Sequence, residues 1–140
     1  MNRINLVTVG VEDMSRSLTF YKAIGFQTPE TSESPPIVFF DNEGSKLELF
    51  PLNELQKDID PDDPPEKSRG SFSGITFACN MKSEREVDDM MKRVEEAGGD
   101  VVKDPQPVYW VATVAISEIL MGITGNWPMP QTGSLMTGIC

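Results

Sequence analysis

Few side chains in this 140-residue sequence could carry out acid–base or metal chemistry, because it contains no histidine. Without imidazole, a Ser-His-Asp triad, a Cys-His dyad and every metal site that depends on imidazole are excluded. Cys79 and Cys140 do not suggest a disulfide framework, and Cys79 is typical of a small buried side chain in a strand. The remaining candidates are Glu48, a carboxylate in an alternating segment, and the rings of Tyr109 and Trp110, which could stack on a ligand or pack in the core.

A further group of carboxylates lies in residues 52–70, which combine three prolines with many charged side chains. A calcium loop places oxygen ligands at alternate positions around a central glycine, and this segment lacks that spacing. The prolines and charges instead favour a solvated connection.

Size and charge restrict the class of protein and its partners. A length of 140 residues suits one domain, and the net charge of −10 argues against nucleic acid and anionic membrane as partners. No apolar run is long enough to span a membrane, and the first residues lead into a strand-like pattern instead of a signal peptide. With only two cysteines, we expect a cytoplasmic protein.

The elements that must position these candidates repeat along the chain. In the first half, a β-branched segment is followed by a helix that Asp13 caps and Gly25 ends, and then by three strands, the last of them alternating polar and apolar. In the second half, a strand precedes a helix that starts with a Ser83–Glu86 capping box and contains Met90 and Met91 in its apolar stripe. The predicted strands are 4–11, 26–27, 37–40, 46–50, 73–78 and 100–102.

The order β-α-β-β-β followed by β-α-β indicates an internal repeat. Such a unit cannot cover its own sheet, so two copies must pack together or exchange across a dimer.

Several segments together resemble one family: 9–26, 47–50, 72–80, 86–99 and 105–110. Their order and spacing are similar to those of the vicinal oxygen chelate superfamily, which includes glyoxalase I, extradiol dioxygenases and the fosfomycin- and bleomycin-resistance proteins. The resemblance implies an α+β fold of paired βαβββ modules whose sheets curl around a cleft, here with a second module atypical at its C-terminal end. We predict a single domain with module one at 1–51, a linker at 52–71, module two at 72–125 and a tail at 126–140.

Enzymes of this family hold a divalent metal, and the resemblance implies where its ligands would fall. The first-strand position falls on Leu6 and the fifth-strand position near Gly74, and neither can ligate; Glu48, at the fourth-strand position, can. A lone carboxylate binds a transition metal poorly, since such ions generally take three or four protein ligands. We expect no metal or other cofactor unless a partner chain or the substrate supplies further ligands.

The candidate ligand-binding residues are Leu6, Thr8, Glu48, Tyr109 and Trp110. Leu6 and Thr8 share a face by strand alternation, and the family geometry would place Glu48 beside them. The alternative is that Glu48 is a surface carboxylate on an amphipathic strand. The missing metal ligands favour a protein that binds a small organic ligand in a cleft, similar to bleomycin-resistance proteins, and the resemblance implies a homodimer. The alternative function is that of a metal-dependent lyase or dioxygenase of the glyoxalase I type.

The last 30 residues differ in composition from the rest, since Glu118 is the one charged residue among them. Back-translated and read one nucleotide out of step, the segment after Trp110 allows Gly-Gly-Tyr-Ser-Gly-Tyr-Phe, the continuation typical of relatives with a similar Pro-x-x-x-Trp stretch. Our hypothesis is a one-base deletion after the codon for Trp110, in the gene or in the recorded sequence, whose product could have lost its parent's activity. We expect lower stability or a poorly ordered tail beyond about residue 118.

Overall fold

The computed structural model describes residues 2–66, 75–108, 112–118 and 134–139. The chain divides into two compact units, of which the first holds residues 2–66 and the second holds the other described segments. The first unit contains β1 (Leu6–Val11), α1 (Met14–Ala23), β2 (Val38–Phe39), β3 (Lys46–Pro51) and α2 (Leu52–Ile59). The second contains β4 (Thr76–Met81), α3 (Glu84–Glu96), β5 (Asp100–Val108), β6 (Ala112–Glu118) and β7 (Ser134–Ile139).

The sheet of the first unit has the strand order β1-β3-β2, with β1 parallel to β3 and β2 antiparallel to it. The antiparallel pair is the hairpin predicted from residues 41–44, where Gly44 takes a φ of 76° that favours glycine. The strand predicted at 26–27 does not form. Instead, the Gln27 carbonyl accepts a single hydrogen bond from the Asp41 N–H at 2.7 Å, which is too little contact to extend the sheet.

One face of this sheet packs into the core with α1. Alternate residues of each strand are buried there, because successive side chains of a strand point to opposite faces. Tyr21 of α1 meets the core at the ring of Phe40, with 5.1 Å between the centroids, and Phe26 stacks edge-on against both. The buried apolar residues of the first unit are Val9, Val11, Met14, Leu18, Phe20, Tyr21, Ile24, Val38, Phe40, Leu47 and Leu49.

Helices α1 and α3 begin and end in the same way, as their sequences predicted. Asp13 and Ser83 accept hydrogen bonds from the N–H groups three residues later, at 2.9 and 3.2 Å. At the other end, Gly25 and Gly98 have positive φ. In each helix, the N–H of this glycine and the N–H of the next residue donate to carbonyls of the last turn, which forms a Schellman motif. In the Ser83 cap, the Glu86 carboxylate accepts from the Lys82 N–H at 2.7 Å, one residue before the N–H expected in a capping box.

Residues 52–59 form helix α2, where the sequence predicted a solvated connection. The sequence analysis did not predict this helix, in which Leu52 and Leu55, one turn apart, share an apolar side that packs on β1. A Cβ at Gly10 would lie 2.9 Å from the Leu52 side chain and 3.0 Å from that of Leu55, so the missing side chain allows the close approach. Prolines and charges after Ile59 do not prevent one short helix before them.

The second unit repeats the topology of the first. Its strand order is β4-β7-β6-β5. β4 is parallel to β7, and the β7–β6 and β6–β5 pairs are antiparallel. The first unit has the same arrangement, except that no strand of its sheet corresponds to β5. Helix α3 buries Val87, Met91 and Val94, with Met90 partly buried against that cluster, so its predicted apolar stripe is confirmed. The α+β class and the duplicated module are confirmed as well.

Residues 134–139, part of the segment expected to be a tail, form strand β7. β7 lies between β4 and β6 and forms hydrogen bonds with both. Its pairing with β4 extends from Thr76–Ser134 to Met81–Ile139. Residues 134–139 carry apolar and β-branched side chains that suit a strand, and two neighbours satisfy the backbone groups on both its edges.

None of the helices in the described segments has the length and apolar character needed to cross a membrane.

Candidate functional site

Glu48 lies in the middle of β3, and its side chain points away from the core that α1 covers. Its neighbours Leu47 and Leu49 are buried in that core, so alternation directs Glu48 to the opposite face of the sheet. Glu48 is nevertheless only 7% exposed. It is therefore a shielded carboxylate, whereas the alternative drawn from the sequence was a surface carboxylate. Buried carboxylates are rare unless a partner compensates them.

Thr8 of β1 is the hydrogen-bond partner of Glu48. The two residues are directly paired in the parallel β1–β3 ladder, which places their side chains on the same face. The Thr8 hydroxyl donates to Glu48 Oε2 at 3.1 Å. The structure thus brings together two of the residues that the sequence singled out, separated by 40 positions in the chain.

Two apolar side chains border this pair. Leu6, two residues before Thr8 on β1, is 41% exposed. Phe39 of β2 is paired with Glu48 in the antiparallel ladder and is 49% exposed. We call the surface formed by Leu6, Thr8, Phe39 and Glu48 the Glu48 face.

Sequence reasoning missed Phe39. The predicted strand 37–40 contained the signal, because alternation places Phe39 on the face opposite Val38 and Phe40. In the structure, Val38 and Phe40 are both buried. The pairing of Phe39 with Glu48 could not be derived without the register of the hairpin.

Helix α2 closes one end of the Glu48 face. Gly10 follows Thr8 by two positions on β1 and so lies on the same face. Leu52 and Leu55 approach its backbone closely enough that an added Cβ would meet both side chains. The face therefore has an aliphatic wall at this end.

The cation on the same face is not available to Glu48. Lys46, two residues before Glu48, directs its ammonium group to Asp41 Oδ1 at 3.1 Å and to the Asn42 carbonyl at 2.7 Å. Among the described residues, no ion pair includes Glu48.

The residues of the Glu48 face do not fit a transition-metal site. Leu6 offers no donor atom, and one oxygen of Glu48 already accepts from the neutral Thr8 hydroxyl. Within the described segments, no three acidic or cysteine side chains come close enough together to hold an ion. Gly74, near the third position that the resemblance implies, lies outside those segments and has no side chain. The chemistry available here is that of one carboxylate beside a hydroxyl and apolar surface.

Tyr109 and Trp110 lie outside the described residues. Cys79 is half-buried in β4, and burial raises the pKa of its thiol. A raised pKa disfavours the thiolate, so Cys79 is poorly suited to act as a nucleophile.

The topology agrees with one family. The sequence profile of the Glyoxalase/Bleomycin resistance protein/Dioxygenase superfamily matches residues 3–126. The chain belongs to this superfamily. The match begins before β1 and extends past Trp110.

Solved structures share the fold of this superfamily member. A glyoxalase-related enzyme from Fulvimarina pelagi aligns with a TM-score of 0.78 at 18% identity, over 100% of this chain and 89% of that one. Hypothetical protein SA1046 from S. aureus gives 0.76 at 18% identity, over 100% and 94%. A lactoylglutathione lyase from Agrobacterium tumefaciens gives 0.64 at 16% identity, over 99% and 94%. At these identities the likeness extends to the fold alone. No curated protein sequence matches the chain.

Proposed function

We propose that this superfamily member binds a small organic ligand on the Glu48 face, without a complete metal site of its own. One observation carries the proposal: a carboxylate only 7% exposed is held by a neighbouring hydroxyl on a sheet face that otherwise offers apolar side chains. Ligand sites typically combine mostly apolar walls with a few placed polar groups. Leu6 and Phe39 would supply the apolar contact, and Thr8 and Glu48 the polar one.

The test combines metal content with a ligand screen. The protein is purified without a histidine tag, its metal content is measured, and its thermal stability is recorded against a panel of small hydrophobic and cationic molecules. A ligand that binds the native state raises the melting temperature by mass action. We expect less than stoichiometric metal and at least one stabilising molecule.

Matched variants then locate the site. Glu48→Gln keeps the size of the side chain and should abolish or weaken the stabilisation. Glu43→Gln makes the same chemical change at an exposed position of the hairpin turn and should leave it intact. If the ligand stabilises both variants equally, the Glu48 face is not the binding site.

The alternative is a metal-dependent lyase or dioxygenase of the glyoxalase I type. It is supported by the carboxylate of Glu48, at a position where the resemblance implies a metal ligand, and by the likeness to a structure described as a lactoylglutathione lyase. Under this alternative a partner chain or the substrate would complete the ligand set. Stoichiometric nickel, zinc, iron or manganese that Glu48→Gln removes would favour it.

Two further expectations belong to the same proposal. We propose a homodimer, which light scattering of the purified protein tests directly. We also propose that one base is missing after the codon for Trp110, so that this product has lost part of its parent's site. Sequencing the encoding DNA decides the second point, because a reading frame with no family motif one base away would exclude the deletion.

A further inference from the structure

We propose that Met81 and Met90 form an oxidation site, at which hydrogen peroxide converts their thioethers to sulfoxides and loosens helix α3 from the sheet of the second unit. The inference is independent of the proposed function, because the Glu48 face belongs to the first unit.

The two methionines meet at one apolar cluster. Met81 is the last residue of β4, and Met90 lies on α3. Both side chains are partly buried and pack against the cluster that Val87 and Met91 form on α3, as does Val101 of β5. The cluster therefore joins the helix to its sheet, and two of the side chains at its edge are thioethers.

Exposure distinguishes this pair from two other methionines. Met14 is 8% exposed and Met91 is 5% exposed, whereas the side chains of the proposed site are only partly buried. Peroxide must reach the sulfur atom, so oxidation follows exposure. Met90 and Met91 are neighbours in sequence, and the direction of each side chain on α3 accounts for their difference.

The reaction adds one oxygen atom to each sulfur. The thioether sulfur attacks one oxygen of hydrogen peroxide, the O–O bond breaks, and the products are a sulfoxide and water. The sulfur gives up two electrons, and these reduce the peroxide. The product side chain is polar, whereas methionine is apolar.

The position of the sulfoxide determines its effect on the fold. Val87, against which both methionines pack, is fully buried at 0% exposure. A polar oxygen held against such a side chain loses hydrogen bonds to water, which is unfavourable unless a new partner replaces them. The oxygen regains water when the edge of the cluster opens, so oxidation should weaken the docking of α3.

Cys79 is a competing sulfur on the same side of β4 as Met81, two positions away. Burial raises the pKa of the Cys79 thiol, so little thiolate is present at neutral pH. Because peroxide reacts with the thiolate, oxidation of a thiol accelerates about tenfold per pH unit below its pKa. A thioether does not ionise, so the pH dependence separates the two kinds of sulfur.

The experiment treats the full chain with hydrogen peroxide at pH 6, 7 and 8, and tandem mass spectrometry assigns the added oxygen to individual residues. Met81 and Met90 should oxidise about tenfold faster than Met14 and Met91. This ratio corresponds to about 1.4 kcal/mol for the local opening that exposes a buried sulfur. In urea the four rates should be equal.

The second measurement is hydrogen exchange of the oxidised protein. The amides of Glu84–Glu96 should lose protection, whereas those of Met14–Ala23 should keep it. Methionine sulfoxide reductases with a dithiol should restore the protection, because the dithiol becomes a disulfide and the oxygen leaves as water.

Matched double variants assign the effect to residues. Met81→Leu with Met90→Leu approximately conserves volume and should make the protection of α3 insensitive to peroxide. Met14→Leu with Met91→Leu makes the same changes at the buried sulfurs and should keep the sensitivity of the parent. Circular dichroism checks that each variant folds, and the four oxidation rates of the unaltered chain stand even if one does not.

Each contrary outcome overturns a part of the inference. Equal oxidation rates of the four methionines in the folded protein overturn the assignment of the site. Fast oxidation of Met81 and Met90 with unchanged protection of α3 overturns the structural effect. A loss of protection that accelerates about tenfold per pH unit assigns the effect to a thiol and overturns the methionine site.

Discussion

At the scale of single residues, the central feature is a hydroxyl and a carboxylate that meet across two strands. The ladder fixes their backbones, and the 3.1 Å bond from Thr8 fixes the direction of the Glu48 side chain. Because Glu48 is shielded from water, loss of the Thr8 hydroxyl would deprive its carboxylate of a hydrogen bond that water does not readily replace. Thr8 is therefore a positioning residue for Glu48.

Thr8→Val tests this role. Valine keeps the β-branched shape but cannot donate, so we expect the free energy of unfolding to fall by about 1–2 kcal/mol in urea denaturation. Thr19→Val removes a hydroxyl from an exposed position of α1 and should change stability by less than about 0.5 kcal/mol. Equal effects of the two variants would mean that the Thr8–Glu48 bond does not stabilise the fold.

Cys79 gives a second prediction at this scale, based on the raised pKa of its buried thiol. Since fewer thiolates form at a given pH, labelling with a disulfide reagent at pH 8 should be slower in the folded protein than in urea. The folded state keeps the thiol proton to higher pH than the unfolded chain does. The contribution to stability is therefore complete below the unfolded pKa of about 8.5 and is lost as pH rises through the folded pKa.

The measurement uses Cys140→Ser protein, so that Cys79 is the one thiol that reacts. Its labelling rate should still be increasing with pH above the point where the rate in urea has levelled. A folded-state rate that matches the rate in urea across the pH range would contradict the raised pKa.

At the scale of elements, the two helices α1 and α3 show how local sequence defines an end. Each closes with a glycine at positive φ, followed by an N–H that bonds five residues back. An L-residue at such a position is strained by contact between its Cβ and the following carbonyl. The end of each helix therefore depends on glycine at that position.

Gly98→Ala separates this strain from packing, because a Cβ at Gly98 would meet no atom within 4 Å. We expect a loss of about 1 kcal/mol in the free energy of unfolding, due to the positive φ alone. Gly98→Asn should lose less, since asparagine tolerates this conformation better. Chemical denaturation measures both, and an alanine variant as stable as the parent would show that the backbone relaxes without cost.

At the scale of the whole molecule, each unit depends on strands that are far apart in sequence. β1 is parallel to β3, and β4 is parallel to β7. The other neighbouring strand pairs, β2–β3, β5–β6 and β6–β7, are antiparallel. In the second unit, β7 is the link between β4 and the β6–β5 pair. The C-terminal residues are thus part of the sheet and not an addition to it.

Deletion of residues 134–140 tests this dependence. Without β7, the backbone groups of β4 and β6 that now bond to it have no partner, and the sheet is split. We expect the amides of Thr76–Met81, and those within 115–118 that bond to β7, to lose their protection in hydrogen exchange, while the amides of β6 that bond to β5 keep it. Removal of Cys140 alone should leave the protection unchanged. Retained protection in the longer deletion would mean that β7 is dispensable.

Features that depend on neighbouring residues can be predicted from the sequence alone. The caps at Asp13 and Ser83, the ends at Gly25 and Gly98, and the hairpin around Gly44 follow from local backbone chemistry. The alternation around Glu48 placed it on the face opposite Leu47 and Leu49. The absence of histidine excluded imidazole metal sites from composition alone.

Features that depend on contacts between distant segments appear only in the folded chain. The burial of Glu48, its pairing with Phe39, the docking of α2 on Gly10 and the place of β7 between β4 and β6 all require the register of the strands. Local patterns carry no information about which distant backbone supplies a hydrogen bond. For that reason the sequence does not predict helix α2 or the strand at Ser134–Ile139.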